Sequence, residues 1–391
     1  MKKKKNSQQK RVSAIVFFMI LIILPLATLF SDKEYFSSTE NRNLAKFPKF
    51  SLQTIKDKSF MNGFETYISD HFIGRLNWIE TKVGIELAIG KKELNGIYIT
   101  DERLIEKLPS PDYTEIDKSI DAINKFQENN SDIPMYMLLA PTSAGIYSDS
   151  LPKNAPQEDQ KAFIDYVYNK INENITTIDL YNILYNSRDE YIYYRNDHHW
   201  TSLGAYYAYN ATIQKLGFSP IVYDKYDIQH ASDDFKGTFY STSLYDKVKA
   251  DTVDIYYRKD EGASVTDYIV NDGRTETEYD SIYFMDYLDK KDKYSTFLGP
   301  NQPLVTIKTD VHNDKKLLII KDSYAHCFAP FLTQHYSEIT LIDLRYIGVS
   351  AKDIVNISDY SQVLILYNAS TFSTDENVKQ LSLMFKGNSE E

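Results

Sequence analysis

The sequence predicts an α/β protein with a mostly parallel sheet, set behind one membrane-spanning helix. Three observations predict it: apolar runs of strand length such as Met135–Ala140 and Leu317–Ile320, helix-period segments alternating with them, and an uncharged stretch after a basic N-terminus. Short, almost wholly apolar runs suit strands buried on both faces, the condition of a parallel sheet covered by helices.

Residues 1–12 form a basic cytoplasmic tail, with Lys2–Lys5, Lys10 and Arg11 and no acid. Residues 13–30 carry no charged side chain and are just long enough to cross a bilayer's hydrocarbon core as a helix. The basic cluster should stay in the cytoplasm, which makes this a single-pass protein of the cytoplasmic membrane with the remainder outside. Leu29-Phe30-Ser31-Asp32 is a poor cleavage site, which favours an uncleaved anchor over a removed signal peptide. Residues 31–55 read as an irregular tether whose Glu40 and Arg42 can dock on the domain, and residues 56–391 as that domain.

From about Leu52 to Ile89 the spacing of Phe60, Phe64, Tyr67, Ile68 and Phe72 is helical, with a break expected at Gly74. Residues 96–105 read as two short strands around a polar turn. A helix near 114–128 precedes the strand Met135–Ala140 and a Thr-Ser-Ala-Gly loop that starts at Thr142. A helix about 157–173, a short strand Thr177–Leu180 and a strand Tyr191–Tyr194 follow. Thr201 and Ser202 then cap a helix containing Ala205, Tyr206, Ala208, Tyr209 and Ile213. Residues from about 226 to 310 turn rich in Tyr, Asp and Thr and predict an antiparallel β insertion. Strand and helix signals resume at Lys316–Lys321, 325–336, Glu338–Asp343, 350–356, Gln362–Tyr367 and 374–386. Ligands of such sheets gather beyond the carboxyl ends of the strands, where Ser323, Arg345 and Asn368 fall.

The chain has 391 residues, 42% hydrophobic and 25% charged, enough for a full core. Its single cysteine, Cys327, excludes an intrachain disulfide and any multi-Cys metal site, and its apolar surroundings predict a buried thiol. The net charge is −11, and setting aside the six bases of the N-terminus makes the remainder more acidic still. Such a field repels polyanions, so nucleic acid is not an expected partner.

The chemistry centres on Asn196-Asp197-His198-His199-Trp200-Thr201, in a chain with only seven histidines, and on Lys321-Asp322-Ser323-Tyr324. A serine hydroxyl is a weak nucleophile and needs a base within hydrogen-bond reach and a carboxylate to fix the tautomer of that base. Asp197 and His199, two apart in an extended loop, present their side chains on one side of the backbone. Ser323 at a strand-to-helix turn exposes its oxygen where backbone N–H groups can face an oxyanion. Plainer readings stand beside this one. His198 and His199 suit a buried hydrogen-bonded cluster, Ser323 suits a helix cap, and Asp197, His198 and His199 suit part of a metal site, though no further ligand cluster stands out. His326, one turn beyond Ser323, rivals His199 but has no neighbouring carboxylate to orient it. The 32 tyrosines suit either sugar-stacking walls or a compositional bias.

These segments resemble the bacterial DHHW family, named for the motif at Asp197–Trp200. That family is similar to the AlgX and AlgJ alginate O-acetylation proteins, whose domains are SGNH-hydrolase-like. Further matching pieces are Glu40–Leu44, Asp70-His71-Phe72 with Arg75, Ala140–Ser143, and Phe235–Ser241. The resemblance implies a three-layer SGNH-like fold with rearranged motif order, Asp and His preceding Ser. It also implies a triad of Asp197 as orienting acid, His199 as base and Ser323 as nucleophile, with no cofactor and no metal. Lys321 stands where the Gly-Asp-Ser motif has Gly. The other SGNH blocks find no assignable match, so the resemblance does not name the oxyanion hole; the Ser323 N–H is the first candidate donor, followed by Arg345 and Asn368, with Tyr324 and Thr142 as further candidate contacts. The implied activity is O-acetyl transfer to, or acetyl-ester hydrolysis on, a cell-surface polysaccharide. A multi-spanning membrane acyltransferase would supply the acetyl groups. The alternative is a non-catalytic scaffold or polysaccharide-binding protein of an acetylation complex. No counterpart of the AlgX carbohydrate-binding module is found, so alginate itself is not implied.

Overall fold

The computed structural model describes residues 2–260, 262–347 and 355–384. The chain divides into two compact units, the first ending at Lys91 and the second beginning at Lys92. The sequence reading instead grouped residues 56–91 with the domain that follows.

The first unit starts with the helix Lys2–Phe30, in which Arg11–Phe30 is long and apolar enough to cross a membrane. Within the stretch read as a tether, Phe36–Ser37 pairs with Arg42–Asn43. The helices Ser59–Asp70 and Arg75–Ala88 are separated where Gly74 takes a left-handed φ of 65°, the conformation that favours glycine. Two of the family-like segments bind each other here. Arg42 grips Asp70 with both terminal nitrogens, at 3.0 and 2.6 Å, and the Ala45 N–H donates to the same carboxylate at 2.8 Å. Arg75 pairs with Glu40, and the His71 imidazole meets the Ala45 carbonyl at 2.8 Å. Arg-carboxylate forks of this kind fix geometry better than single-point contacts.

The second unit is built on an eight-stranded sheet. From one edge the order is Glu276–Tyr279, Val265–Asn271, Leu304–Thr309, Glu338–Ile342, Lys316–Lys321, Gln362–Asn368, Met135–Ala140 and Ile175–Thr177. The last five run parallel and the first three antiparallel. Alternate residues of the parallel strands face opposite cores, as the period of two requires. Leu317, Ile319, Ile339, Leu341, Leu364 and Leu366 join Trp200, Tyr209 and Phe328 on one face. Leu318, Ile320, Ile342, Val363 and Ile365 join Ile116, Ile120, Phe163 and Val167 on the other. Helices Ser202–Lys215 and Ala325–Leu332 cover the first face, and Tyr113–Asn129 and Gln160–Tyr168 the second, which makes three layers.

The β insertion divides in two. Tyr226–Phe235 and Asp251–Arg258 form a separate two-stranded sheet, whereas the three strands that follow extend the main sheet in antiparallel sense. The expected strand Tyr191–Tyr194 is reduced to one bridge between Tyr193 and Trp200, because the following loop turns back on it. The short strand near 177–180 lies earlier, at Ile175–Thr177. The helix expected near 374–386 is a 3-10 turn Glu376–Gln380 leading into Leu381–Met384 as far as the described residues reach. That expected near 350–356 lies mostly outside them.

From the strand Lys316–Lys321 the chain crosses to Glu338–Ile342 on one side and later returns to Gln362–Asn368 on the other. A crevice forms outside the carboxyl end of a strand where crossovers part in this way, and Ser323 lies at that end. Truncating the fully buried Ile319 to Ala should cost about 2–5 kcal/mol in chemical denaturation. Glu278→Ala, on the exposed edge strand, should stay within about 0.5 kcal/mol.

Candidate active site

The strand Lys316–Lys321 ends at Asp322, whose carboxylate folds the chain into the next helix. Its Oδ1 accepts the Tyr324 N–H at 2.9 Å, and its Oδ2 accepts the Asn368 backbone N–H at 2.7 Å and the Asn368 side-chain amide at 2.6 Å. Burial raises the Asp322 carboxyl, against these donors. Ser323 follows at the turn, before the helix Ala325–Leu332. Among the described residues its backbone N–H has no acceptor within the protein, whereas that of Tyr324 is taken.

The loop Asn196–His199 comes to this turn from 124 residues away. It is held from behind by Asp251, on the two-stranded sheet. That buried carboxylate accepts from Tyr191 Oη at 2.7 Å, Arg195 N at 2.7 Å and Asn196 N at 2.8 Å. From the front, the Asn196 carbonyl accepts the Phe239 N–H at 3.0 Å. Two bonds then tie loop to turn. Trp200 Nε1 donates to the Tyr324 carbonyl at 3.0 Å, and Tyr324 Oη donates to the His198 carbonyl at 2.5 Å. Thr201 caps the following helix by accepting from Gly204 N at 3.3 Å.

Three side chains line up in consequence. Ser323 Oγ lies 2.8 Å from His199 Nε2, and His199 Nδ1 lies 2.6 Å from Asp197 Oδ1, which also accepts the His199 N–H at 3.0 Å. Asp197 Oδ2 accepts the Thr238 N–H at 2.8 Å. Burial by itself raises the Asp197 carboxyl, but His198, His199 and the Thr238 N–H outweigh it and hold the acid well below the usual carboxylate range. Burial pushes the His199 imidazole down to about 4, and neighbouring His198 adds to the shift against the pull of Asp197. His199 is therefore neutral at neutral pH, able to accept a proton at Nε2 while Nδ1 donates to Asp197.

With that geometry established, the chain can be placed among known proteins. The profile of a family described as DHHW protein matches residues 113–342, more than half of the sequence. The chain belongs to the DHHW family. No curated protein matches it. Among solved structures, a DHHW family protein from Eubacterium siraeum is 27% identical, with a TM-score of 0.63 over 74% of this chain and 96% of that one. Bacillus cereus PatB1, solved with a sulfonyl adduct, is 21% identical, with a TM-score of 0.61 over 72% of this chain and 97% of its own. The O-acetyltransferase domain of Pseudomonas putida AlgJ is 13% identical and aligns at a TM-score of 0.40 over 73% of this chain and 98% of its own.

Within this DHHW protein the remaining site residues fall into place unevenly. Tyr324 is fully buried and holds the His198 carbonyl, so it supports the loop from beneath. The Asn368 amide hydrogens go to Asp322 and to Thr371 Oγ1 at 2.7 Å, which leaves neither for an oxyanion in this geometry. Arg345 forks onto Asp343 at 2.8 and 2.7 Å. Asp343 also meets the buried Lys321 ammonium at 3.3 Å. Thr142 is buried and bonded to Gln160, on the wall of a cavity of about 380 Å³ that His198 and Asn368 also line. His326, the rival base, lies with Nε2 2.8 Å from Lys321 Nζ and Nδ1 3.1 Å from the Phe297 carbonyl, bonded away from Ser323. Cys327 is buried, and burial pushes its thiol up to about 12.

Sequence reasoning missed Tyr294 and the loop-holding Asp251, and it gave Gly237 no role. The Tyr294 ring stacks on His199 with centroids 3.6 Å apart and planes 10° apart, and its hydroxyl donates to the Ser323 carbonyl at 3.0 Å. Tyr294 comes from the antiparallel region, one tyrosine among many, with no local signal. Gly237 was noted within Phe235–Ser241, and its role is steric: a Cβ there would lie 2.1 Å from Asp197 Oδ2. Metal ligation would draw on Asp197, His198 and His199, whose ligand atoms lie within 4.8 Å of one another. The Asp197 and His199 atoms that would serve are those already hydrogen-bonded here. Gly237→Ala should destabilise the protein by about 1–3 kcal/mol in thermal unfolding by forcing Asp197 aside. Thr238→Ala keeps the backbone donor to Asp197 and should cost less.

Proposed function

We propose that this DHHW protein is an extracytoplasmic serine O-acetyltransferase or acetylesterase that modifies a cell-surface polysaccharide. The single observation that carries the reading is the continuous bond path Ser323 Oγ, His199 Nε2, His199 Nδ1, Asp197. A binding module has no need of a neutral, oriented imidazole against a serine hydroxyl at a strand-to-helix turn.

In this mechanism His199 takes the Ser323 proton as Oγ attacks the carbonyl of an acetyl donor. Asp197 steadies the imidazolium, and the free N–H of Ser323 faces the oxyanion. The donor's leaving group takes the proton from His199, and an acetyl-serine remains. A sugar hydroxyl, or water, then gives its proton to His199 and accepts the acetyl group, restoring Ser323. The cavity bordered by Thr142, His198 and Asn368 offers that acceptor a wall of hydroxyl and amide groups. The basic tail and apolar helix support an orientation with the site outside the cytoplasmic membrane. As a transferase the protein would take its acetyl groups from a multi-spanning membrane acyltransferase, since one such helix does not carry them across a bilayer; as an esterase it needs no such partner.

The test is incubation with a chromogenic acetyl ester and mass spectrometry of the trapped protein. An acetyl adduct on Ser323, absent from Ser323→Ala, supports the proposal; equal turnover by both proteins and no adduct refutes it. The sulfonyl adduct of PatB1 suggests sulfonyl fluorides as a second reagent class for the same serine. Asp197→Asn should lower kcat/KM by about 10²–10⁴-fold without unfolding the protein.

Catalysis needs His199 neutral, and its pKa lies below the ordinary histidine value. Activity should therefore stay level as pH falls through 6.5 and decline only through about 4. An inflection near 6.5 in kcat/KM would contradict the burial-lowered pKa of His199. Chelator treatment should leave turnover unchanged; loss reversed by adding zinc would favour a metal at Asp197, His198 and His199 instead.

A further inference from the structure

A larger cavity, of about 660 Å³, lies against the segment that leads into the Asp197 loop, and the chemistry above does not use it. Its walls are the turn Thr100–Arg103, the segment Ile146–Ser150 beyond the strand Met135–Ala140, and the segment 188–195 that leads into the Asp197 loop. Three arginines stand in these walls, Arg103, Arg188 and Arg195. Arg188 is anchored by its Nη1 on the Tyr185 carbonyl at 2.9 Å, and Arg195 lies 3.8 Å from the Asp251 carboxylate.

Arg103 differs. It is only 8% exposed, it forms no ion pair among the described residues, and its Nη1 is buried without an acceptor among them. Its guanidinium carbon lies over the Tyr147 ring, 3.4 Å from the centroid, and the buried Tyr147 hydroxyl has no partner among the described residues other than this arginine. The other buried charges near the site each have a counterpart: Asp197 has His199, Asp251 its four donors, and Lys321 has Asp343. A buried charge without a counter-charge is costly, and folding offers no reason to keep one. Burial also pulls the Arg103 guanidinium below its ordinary value, with Arg195 adding to the shift and Tyr147 and Glu102 opposing it.

We propose that this cavity seats an anionic group, a carboxylate or a phosphate, on Arg103 and Tyr147, with Arg188 and Arg195 flanking it. A guanidinium held over an aromatic ring presents a planar fork of N–H donors that matches either oxyanion. The rim narrows the class further. Asp101, Glu102, Asp149, Asp189 and Glu190 line the same cavity on exposed residues. They repel a polymer charged at every unit and admit an isolated anionic group on a neutral or cationic carrier.

The hairpin Ile97–Ile99 and Leu104–Glu106 borders both cavities, this one through Arg103 and the one beside His198 through Glu106. Arg195 lies two residues before Asp197, its backbone N–H held by Asp251 together with that of Asn196. That the anion belongs to the acetyl acceptor rests on the reading of Ser323 as an acyl-transfer nucleophile; the anion site itself does not.

The test is thermal unfolding of the full chain in detergent with glucuronic acid, glucose 6-phosphate or glucose. At saturation at least one anionic sugar should raise Tm by about 2 °C or more over glucose, and the two arms tell carboxylate from phosphate. Arg103→Gln should weaken that response about tenfold or more without lowering the unliganded Tm, because it removes an uncompensated charge. Arg188→Gln should give a partial loss and decides the matter if Arg103→Gln does not fold. No shift beyond glucose in the wild type, or a full shift in the variants that fold, overturns the site. Ser323→Ala should keep the whole response, so loss of the acetyl adduct with an intact anion shift would remove the acyl-transfer reading and leave this site standing.

Discussion

The site depends on the reciprocal bonds between two segments that share no local sequence. Trp200 Nε1 reaches the carbonyl of Tyr324, and Tyr324 Oη reaches the carbonyl of His198. Both aromatic side chains are fully buried, where an unpaired indole N–H or phenol is costly, so each bond is enforced by the other's burial. The serine immediately precedes Tyr324 on its strand-to-helix turn, and the histidine lies between His198 and Trp200 on its loop. Their 2.8 Å contact follows from that clamp rather than from either segment alone.

Around the clamp, the fold supplies rigidity from three directions. The parallel strands bring Ser323 and Asn368 to one edge, where Asp322 bridges the two strand ends. Asp251 holds the loop through the backbone donors of Arg195 and Asn196, and the Asn196 side-chain amide and the Tyr191 hydroxyl add to the grip. Gly237 lets the backbone approach the Asp197 carboxylate closely enough for Thr238 N to donate to it. Backbone donors aimed at a buried carboxylate favour its ionised form, which in turn fixes the His199 tautomer.

Much of this was legible in the sequence, and the exceptions have physical causes. The parallel strands were visible because burial on both faces leaves unbroken apolar runs, as in Leu317–Ile320. Asp197 and His199 were visible because a carboxylate two residues from an imidazole is a local arrangement. Tyr294 was not, since its stacking on His199 is a long-range contact made by one of 32 tyrosines. Asn368 lay at the right strand end, but its amide is engaged in capping and in binding Asp322, a detail that spacing does not encode. The antiparallel region was recognised by its alternation. That three of its strands would continue the main sheet depended on edge pairing with Glu338–Ile342, which no local pattern announces.

The central claim is that the Trp200–Tyr324 clamp sets the reactivity of Ser323, and the rate of Ser323 modification by a sulfonyl fluoride in wild type and Trp200→Phe tests it most directly. Removing the indole N–H while keeping an aromatic ring should slow modification about 10–100-fold in a protein that remains folded, since a misplacement near 1 Å has effects of that order. Equal rates in the two folded proteins would contradict the claim and show that the serine and histidine are held together by other contacts.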